Sequence, residues 1–320
     1  MKKVAVCISG ALRGGVSNFD NLRRNLVDPL DADVFVSTWD NHYAKNPIID
    51  GGGFTVARYL GMEMHEAFPP EFRNFGSLKS HFPKTFEKLS QKQVLATRSD
   101  EIAGYFPTLK NISIISEKGF EKVYETVFSK YLEVFRDSRK KNQFKMFYML
   151  HHCDRSLGEY EKLTRTKYDV VIRVRADFSV KAPFDVSITD SIEPNEILTR
   201  YIWFGLDDAM FATERSTMKR ICSIWEKMLD TAWLSPFSGY DWASDHYLLL
   251  LWTIAENIRV KNANRIPCFV TDFDNFCKPF DRENNPYREM LEDIEDMPEN
   301  AEKLARLKNY IFEKMKELQL

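Results

Sequence analysis

Residues 167–178 have the sequence Lys-Tyr-Asp-Val-Val-Ile-Arg-Val-Arg-Ala-Asp-Phe, a nearly continuous apolar run that becomes charged at its end. Such a run is typical of a strand in a parallel sheet that is covered on both faces. Because side chains alternate along a strand, we expect Arg173, Arg175 and Asp177 on one face at its carboxyl end. The segment therefore predicts an α/β protein with a charged site at this strand end.

The N-terminal segment predicts the same fold class. An apolar strand at residues 4–8, a helix at 19–30 and a second strand at 33–38 form a β-α-β unit, whose strands are parallel if they are neighbours. The turn at residues 9–15 lies where open α/β sheets bind ligands. Leu12 and Val16 break the dinucleotide and P-loop spacings, respectively. The turn is thus either a plain connection or a phosphate-binding turn in which Arg13 supplies a fixed cation.

The remaining pattern predicts a single domain over residues 1–285, with an insertion at about 41–109, and a C-terminal helical tail over 286–320. Helical spacing at 143–163, 218–233 and 245–257 and strand patterns at 111–116, 196–203, 209–212 and 268–271 complete the predicted elements. The tail is charged and amphipathic, which is typical of a solvated helix.

Composition excludes several classes of protein. Forty-five basic residues against 47 acidic ones give a formal charge of −2, so we expect no nucleic-acid partner. The apolar stretches are far shorter than a bilayer span, and no signal peptide is apparent, so we expect a cytoplasmic protein. Five cysteines without a C-x-x-C pair predict reduced thiols and no thiolate zinc site.

Asp177 is the first candidate for chemistry. A carboxylate at a strand end can hold a divalent cation that bridges diphosphate oxygens, and an arginine can bind phosphate with two hydrogen bonds. The alternative is an internal ion pair between Asp177 and Arg175. D-x-D spacings also occur at residues 31–33 and 272–274, of which only the second follows a predicted strand.

Two acidic positions are candidates for a general base. Asp208 follows a glycine-containing stretch, and Asp245 precedes His246 at the start of a predicted helix. Because carboxylates at helix starts commonly act as caps, capping stays an alternative for Asp245. The nearby aromatic residues can stack on a sugar ring or pack in the core: Trp203, Phe237, Tyr240 and Trp242.

Four segments together resemble a known family: 4–13 (Val-Ala-Val-Cys-Ile-Ser-Gly-Ala-Leu-Arg), 33–39, the helix with Gln143, Met146 and Tyr160-Glu161, and 168–177. The family comprises GT-A-like glycosyltransferases of bacterial and viral surface-polysaccharide synthesis. The resemblance covers about half the chain, and its most specific part is the Arg-x-Arg-x-Asp ending. Arg175 stands where the stricter D-x-D motif has its first aspartate.

The resemblance implies a GT-A-like, Rossmann-like, mostly parallel sheet and a nucleotide-sugar donor. It implies that Ser9, Gly10, Arg13 and Thr38 line the nucleotide pocket, and that Asp177 positions Mn²⁺ or Mg²⁺ and the diphosphate. The implied acceptor is a glycan or a lipid-linked sugar, which makes a peripheral membrane contact compatible with the sequence. A sulfotransferase and a non-catalytic nucleotide- or carbohydrate-binding protein are the alternatives; Val16 in place of a P-loop lysine disfavours the first.

Overall fold

A computed structural model of the chain describes residues 2–12, 16, 18–43, 55–91, 94–135, 141–202, 205–230, 245–269 and 285–320. Contacts between residues group the chain into two compact units. The first unit contains Met1–His42 and Leu95–Asp272, and the second contains Tyr43–Val94 and Phe273–Leu320.

Nine strands lie within the described residues: β1 Val4–Ser9, β2 Asp33–Trp39, β3 Asn41–Tyr43, β4 Val94–Ala96, β5 Leu109–Ile115, β6 Val170–Val174, β7 Glu196–Ile202, β8 Gly205–Glu214 and β9 Arg259–Asn262. Seven of them form one sheet in the order β5-β2-β1-β6-β8-β7-β9, and β3 pairs with β4. Strand β8 is antiparallel to both of its neighbours, whereas the other neighbouring pairs of this sheet are parallel. The predicted α/β class with a mostly parallel sheet is confirmed.

The α-helices within the described residues are α1 Phe19–Leu22, α2 Asp28–Leu30, α3 Thr55–Leu60, α4 Met62–Ala67, α5 Phe75–His81, α6 Pro83–Ser90, α7 Ser99–Ala103, α8 Glu117–Val123, α9 Glu125–Phe135, α10 Lys141–Thr164, α11 Val186–Asp190, α12 Arg215–Cys222, α13 Ile224–Met228, α14 Asp245–Ala255, α15 Tyr287–Glu295 and α16 Ala301–Glu317. A π-helical turn at Arg23–Val27 joins α1 to α2. No helix among the described residues has the length and apolarity needed to cross a bilayer.

The alternation of side chains along β1 divides the core of the first unit. Ala5 and Cys7 pack in one apolar cluster with residues of α10, whereas Val4, Val6 and Ile8 pack in another with residues of α1. Helical side chains therefore bury both faces of β1, which explains why its sequence is apolar up to Ser9.

One predicted strand is wrong. Residues Pro267–Phe269 form a 3₁₀ turn instead of the start of a strand at 268–271, and residues 270 and 271 lie outside the described part of the chain. Proline at 267 fixes its own backbone and lacks an N–H group for a sheet, which favours a turn over a ladder. The short strand β9 takes the edge position beside β7 instead.

The second unit is built from helices with a core of its own. The apolar face of α16, which includes Leu304, Leu307 and Ile311, is fully buried with residues of α3 and α4 such as Val56 and Met64. The C-terminal segment is helical, as its pattern predicts, and its apolar stripe has a packing partner about 240 residues earlier in the sequence.

Asp293 caps the start of α6 and is 1% exposed. Its carboxylate accepts hydrogen bonds from the backbone N–H groups of Lys84 and Thr85, at 3.1 and 2.8 Å, and from Thr85 Oγ1 at 2.7 Å. We expect Asp293→Ala to lower the free energy of unfolding by about 1–3 kcal/mol, because it leaves buried donors unsatisfied. Urea unfolding measures this, with Asp296→Ala as the control.

Asp296 also contacts Lys84, through the Nζ atom at 3.0 Å, but its side chain is 68% exposed. Exposed ion pairs contribute little, so the control variant is expected to unfold like the wild type. Equal losses in both variants would contradict the capping role of Asp293.

Candidate functional site

The carboxyl ends of β2, β1 and β6 form one continuous edge of the sheet, because the three strands are adjacent and parallel. Ser9 ends β1 and Thr38 lies near the end of β2; both are at most 1% exposed. Thr38 Oγ1 is buried and has no hydrogen-bond partner within the residues that the structure describes. Gly10 has φ +119°, which L side chains rarely adopt, and its N–H donates a hydrogen bond to the Ser37 carbonyl at 3.1 Å. The structure thus brings Ser9, Gly10 and Thr38 together at this edge.

Arg173 is a deeply buried charge of the site, with 1% of the residue exposed. Its Nε atom donates a hydrogen bond to Ser9 Oγ at 3.3 Å, while Nη1 and Nη2 have no hydrogen-bond partner among the described residues. Burial lowers the pKa of Arg173, although the charge of Asp208 opposes the shift. Unpaired donors on a buried cation are costly, so this arrangement is typical of a place that receives an anion.

Arg175 and Asp177 form an ion pair directly after β6. Arg175 donates from Nε and Nη2 to the two carboxylate oxygens of Asp177 at 2.9 and 2.8 Å. Strand β6 ends at Val174, and residues 176 and 177 form a turn, so strand alternation does not extend to Asp177. The internal ion pair, which the sequence left as an alternative, is therefore present.

Asp208 connects the arginines to the antiparallel strand β8. Its Oδ2 atom lies 3.3 Å from Arg175 Nη1 and 3.9 Å from Arg173 Nη1, and 1% of its side chain is exposed. Burial alone would raise the pKa of Asp208, but the contact with His246 and the positive charges of Arg175 and Arg173 hold it below the ordinary aspartate value. Asp208 is therefore an ionised carboxylate held among cations.

His246 lies in the first turn of α14, against β8. Its Nδ1 atom is 2.8 Å from Asp208 Oδ1 and 3.1 Å from the Leu206 carbonyl oxygen. The contact with Asp208 lacks hydrogen-bond geometry, so within the described part of the chain Oδ1 has a charge contact with the ring and no hydrogen bond. A Cβ atom at Gly205 would overlap the backbone of His246 and Tyr247, so glycine at this position permits the close approach of helix and strand.

Asp207, Asp208 and His246 could each offer a ligand atom to a metal ion, and these atoms lie within 4.8 Å of one another. Arg200 Nε and Nη2 already contact Asp207 Oδ2 at 3.0 and 2.9 Å, and the Ala209 N–H donates to Asp207 Oδ1 at 2.9 Å. Burial, followed by the charge of Asp208, raises the pKa of Asp207.

A divalent cation does not fit these residues as they are arranged. The three carboxylates at 177, 207 and 208 face the three guanidinium groups at 173, 175 and 200, so the charges of these six residues cancel. A cation of the Mg²⁺ type needs carboxylate oxygens that carry uncompensated negative charge. The metal role predicted for Asp177 stays a prediction, and it requires Arg175 to release the carboxylate.

Several predicted site residues lie outside the described residues: Arg13, the side chain of Asp245, the aromatic residues 203, 237, 240 and 242, and the D-x-D spacing at 272–274. The contact of His246 with Asp208 and the pairing of Arg200 with Asp207 could not be predicted from the sequence pattern. The sequence shows both the acidic pair at 207–208 and the Asp-His pair at 245–246. Their contact depends on the packing of α14 against β8, which the sequence pattern does not reveal.

Comparison with solved structures finds similarity to glycosyltransferases. The chain matches mouse xyloside xylosyltransferase 1, in its apo form, over 82% of its own length and 84% of that chain, with 6% identity and a TM-score of 0.38. It matches the apo-form glycosyltransferase GlyE of Streptococcus pneumoniae TIGR4 over 82% of its own length, with 10% identity and a TM-score of 0.36, and spans 46% of that chain. No family model matches the sequence, and no curated protein matches it.

Proposed function

We propose that the chain is a glycosyltransferase that moves a sugar from a nucleoside diphosphate sugar to a glycan or lipid-linked acceptor in polysaccharide or lipopolysaccharide synthesis. The observation that carries the proposal is the pair Arg173 and Arg175 at the carboxyl edge of three adjacent parallel strands. Open α/β sheets bind ligands at this edge, and arginine suits the oxygens of a diphosphate.

The proposed roles rest on the family resemblance and, for the residues that the structure describes, on their positions. Ser9, Gly10, Arg13 and Thr38 would line the nucleotide pocket, as the family resemblance implies. Arg173 and Arg175 would neutralise the diphosphate, whose negative charge grows as the bond to the sugar breaks. Fixed positive groups in a buried site stabilise such a leaving group without rearranging during the reaction.

Metal assistance by Mn²⁺ or Mg²⁺ at Asp177 is the second part of the sequence-based hypothesis. A bound cation would supply further charge stabilisation at the diphosphate. The hypothesis also includes a cytoplasmic reaction, with a peripheral membrane contact where the acceptor is lipid-linked.

A turnover screen tests the proposed function. The chain is incubated with UDP-, GDP-, CDP- and TDP-sugars, with and without Mn²⁺, and release of the nucleoside diphosphate is measured. We expect release from at least one donor, since water can replace the acceptor, and we expect Asp177→Ala to slow it. A donor that binds without any release, even with a panel of sugar acceptors present, would contradict catalysis and favour a non-catalytic binding protein.

A further inference from the structure

The contacts of His246 determine which of its ring nitrogens can react. Within the described residues, the Leu206 carbonyl oxygen lies 3.1 Å from Nδ1 in a hydrogen bond and Asp208 Oδ1 lies 2.8 Å from it in a charge contact, whereas the Asp208 backbone N–H is 3.5 Å away. Oxygen acceptors at these distances favour the tautomer with the proton on Nδ1. The lone pair of the neutral ring then lies on Nε2.

The carboxylate that faces the ring is fixed from several sides. Asp208 is 1% exposed, and its Oδ2 atom lies 3.3 Å from Arg175 Nη1 and 3.9 Å from Arg173 Nη1. His246 is 22% exposed at its side chain and so reaches further towards solvent than Asp208. Asp207 on the same strand adds a second carboxylate near the ring.

We propose that His246 is the general base of the transfer reaction and that Asp208 is its positioning residue. This inference rests on the proposed glycosyltransferase function. Nε2 takes the proton from the acceptor hydroxyl group while the hydroxyl oxygen forms a bond to C1 of the donor sugar. The bond from C1 to the diphosphate oxygen breaks, and its electron pair leaves with the nucleoside diphosphate. Because the acceptor attacks opposite the leaving group, the reaction inverts the configuration at C1.

In the pair formed by His246 and Asp208, here called the dyad, Asp208 has a different role from the one expected from the sequence. There, Asp208 was a candidate base in its own right. In the proposed pair the Leu206 carbonyl accepts from Nδ1, and the charge of Asp208 beside the ring stabilises the imidazolium ion that forms. Asp245, the other candidate, precedes His246 in the same helix, and its side chain lies outside the described residues.

The experiment compares the wild type with His246→Ala, His246→Gln and Asp208→Asn, and uses His81→Ala as the control. His81 is an exposed histidine of the second unit. Each variant is assayed for release of the nucleoside diphosphate from the donor that the wild type uses. Binding of that nucleoside diphosphate is measured by calorimetry, which separates loss of chemistry from loss of fold.

We expect both His246 variants to bind the nucleoside diphosphate like the wild type and to release it about 10²–10⁴-fold more slowly, the usual contribution of a general base. Added imidazole should restore part of the rate to His246→Ala, which a purely structural role would not allow. The control should keep the wild-type rate.

Asp208→Asn tests the positioning role through the pH profile. Asp208 and Asp207 face the imidazole as negative charges, and Arg175 and Arg173 lie behind Asp208 as positive ones. Removing the nearer negative charge disfavours the imidazolium ion. We therefore expect the rising limb of the rate against pH to move to lower pH in Asp208→Asn, together with a lower maximal rate.

The outcomes separate this inference from the proposed function. A wild type that releases no nucleoside diphosphate from any donor overturns both. If the wild type turns over a donor and both His246→Ala and His246→Gln are as fast as the wild type, the general-base role of His246 is wrong while the transferase function stands. A product that retains the configuration at C1, measured by NMR spectroscopy of the first product formed, also overturns the dyad while leaving the transferase function in place.

Discussion

Asp208→Ala is expected to lower the free energy of unfolding by about 3–5 kcal/mol, the usual cost of breaking a buried ion pair by removing one partner. Arg173 stays buried in the variant and loses the carboxylate that lies 3.9 Å from Nη1. Urea unfolding at neutral pH measures the loss. The control is Asp100→Ala, which removes the partner of Arg98 in an exposed ion pair and should leave stability nearly unchanged. A loss for Asp208→Ala as small as that of the control would contradict the buried charge network.

The contribution of Asp208 to the free energy of unfolding should decrease at low pH. The pKa of Asp208 in the folded state is below its ordinary value, which is about 3.9 in an unfolded chain. Its stabilisation is therefore fully present above about pH 4 and is lost as the pH falls below it. We expect the difference in stability between wild type and Asp208→Asn to shrink as the pH falls below about 4.

Arg175→Met is expected to weaken binding of a nucleoside diphosphate by roughly 10–150-fold. Hydrogen bonds to a charged group contribute about 1.5–3 kcal/mol, which corresponds to that range of affinity. Arg175 is 17% exposed and belongs to the cationic pair at the proposed diphosphate position, and methionine keeps much of its apolar volume. Calorimetric titration measures the change in dissociation constant.

Arg259→Met is the matched control, because Arg259 is an exposed arginine on the edge strand β9. It should bind the nucleoside diphosphate with wild-type affinity. If the wild type and Arg175→Met bind the nucleoside diphosphate with equal affinity, Arg175 does not contribute to the donor site.

The sequence predicted the parts of the fold that depend on local pattern. β1, β2 and β6 are mostly apolar, so their class could be predicted, and the bounds of β1 and β2 match the pattern to within about one residue. β6 ends at Val174, before the charged end of the predicted run. Strand β9, with the sequence Arg-Val-Lys-Asn, alternates only briefly and was not predicted. The packing of α16 on helices of residues 55–91 depends on contacts between distant segments, which periodicity cannot reveal. The expected domain bounds, 1–285 and 286–320, stay a prediction.

Some residues of the candidate site could also be predicted from local pattern, and others depend on packing between distant segments. Ser9, Thr38 and Arg173 could be assigned to one sheet edge, because strand order follows from the β-α-β rule and from a buried strand. Strand alternation could not predict the pairing of Arg175 with Asp177, because the chain turns after Val174. His246 and Asp208 are 38 residues apart, so only the packing of α14 on β8 could reveal their contact.

The central claim is that the edge formed by β2, β1 and β6 binds a nucleoside diphosphate sugar. A thermal-shift screen of UDP, GDP, CDP, TDP and CMP sugars, with and without Mn²⁺, on wild type and Asp177→Ala tests it most directly. A ligand at about 100 times its dissociation constant adds roughly 2.7 kcal/mol, which raises the melting temperature. We expect at least one nucleoside diphosphate sugar to stabilise the wild type and to stabilise Asp177→Ala less. Stabilisation by adenosine 3′,5′-bisphosphate and by none of the sugar nucleotides would contradict the account and favour a sulfotransferase.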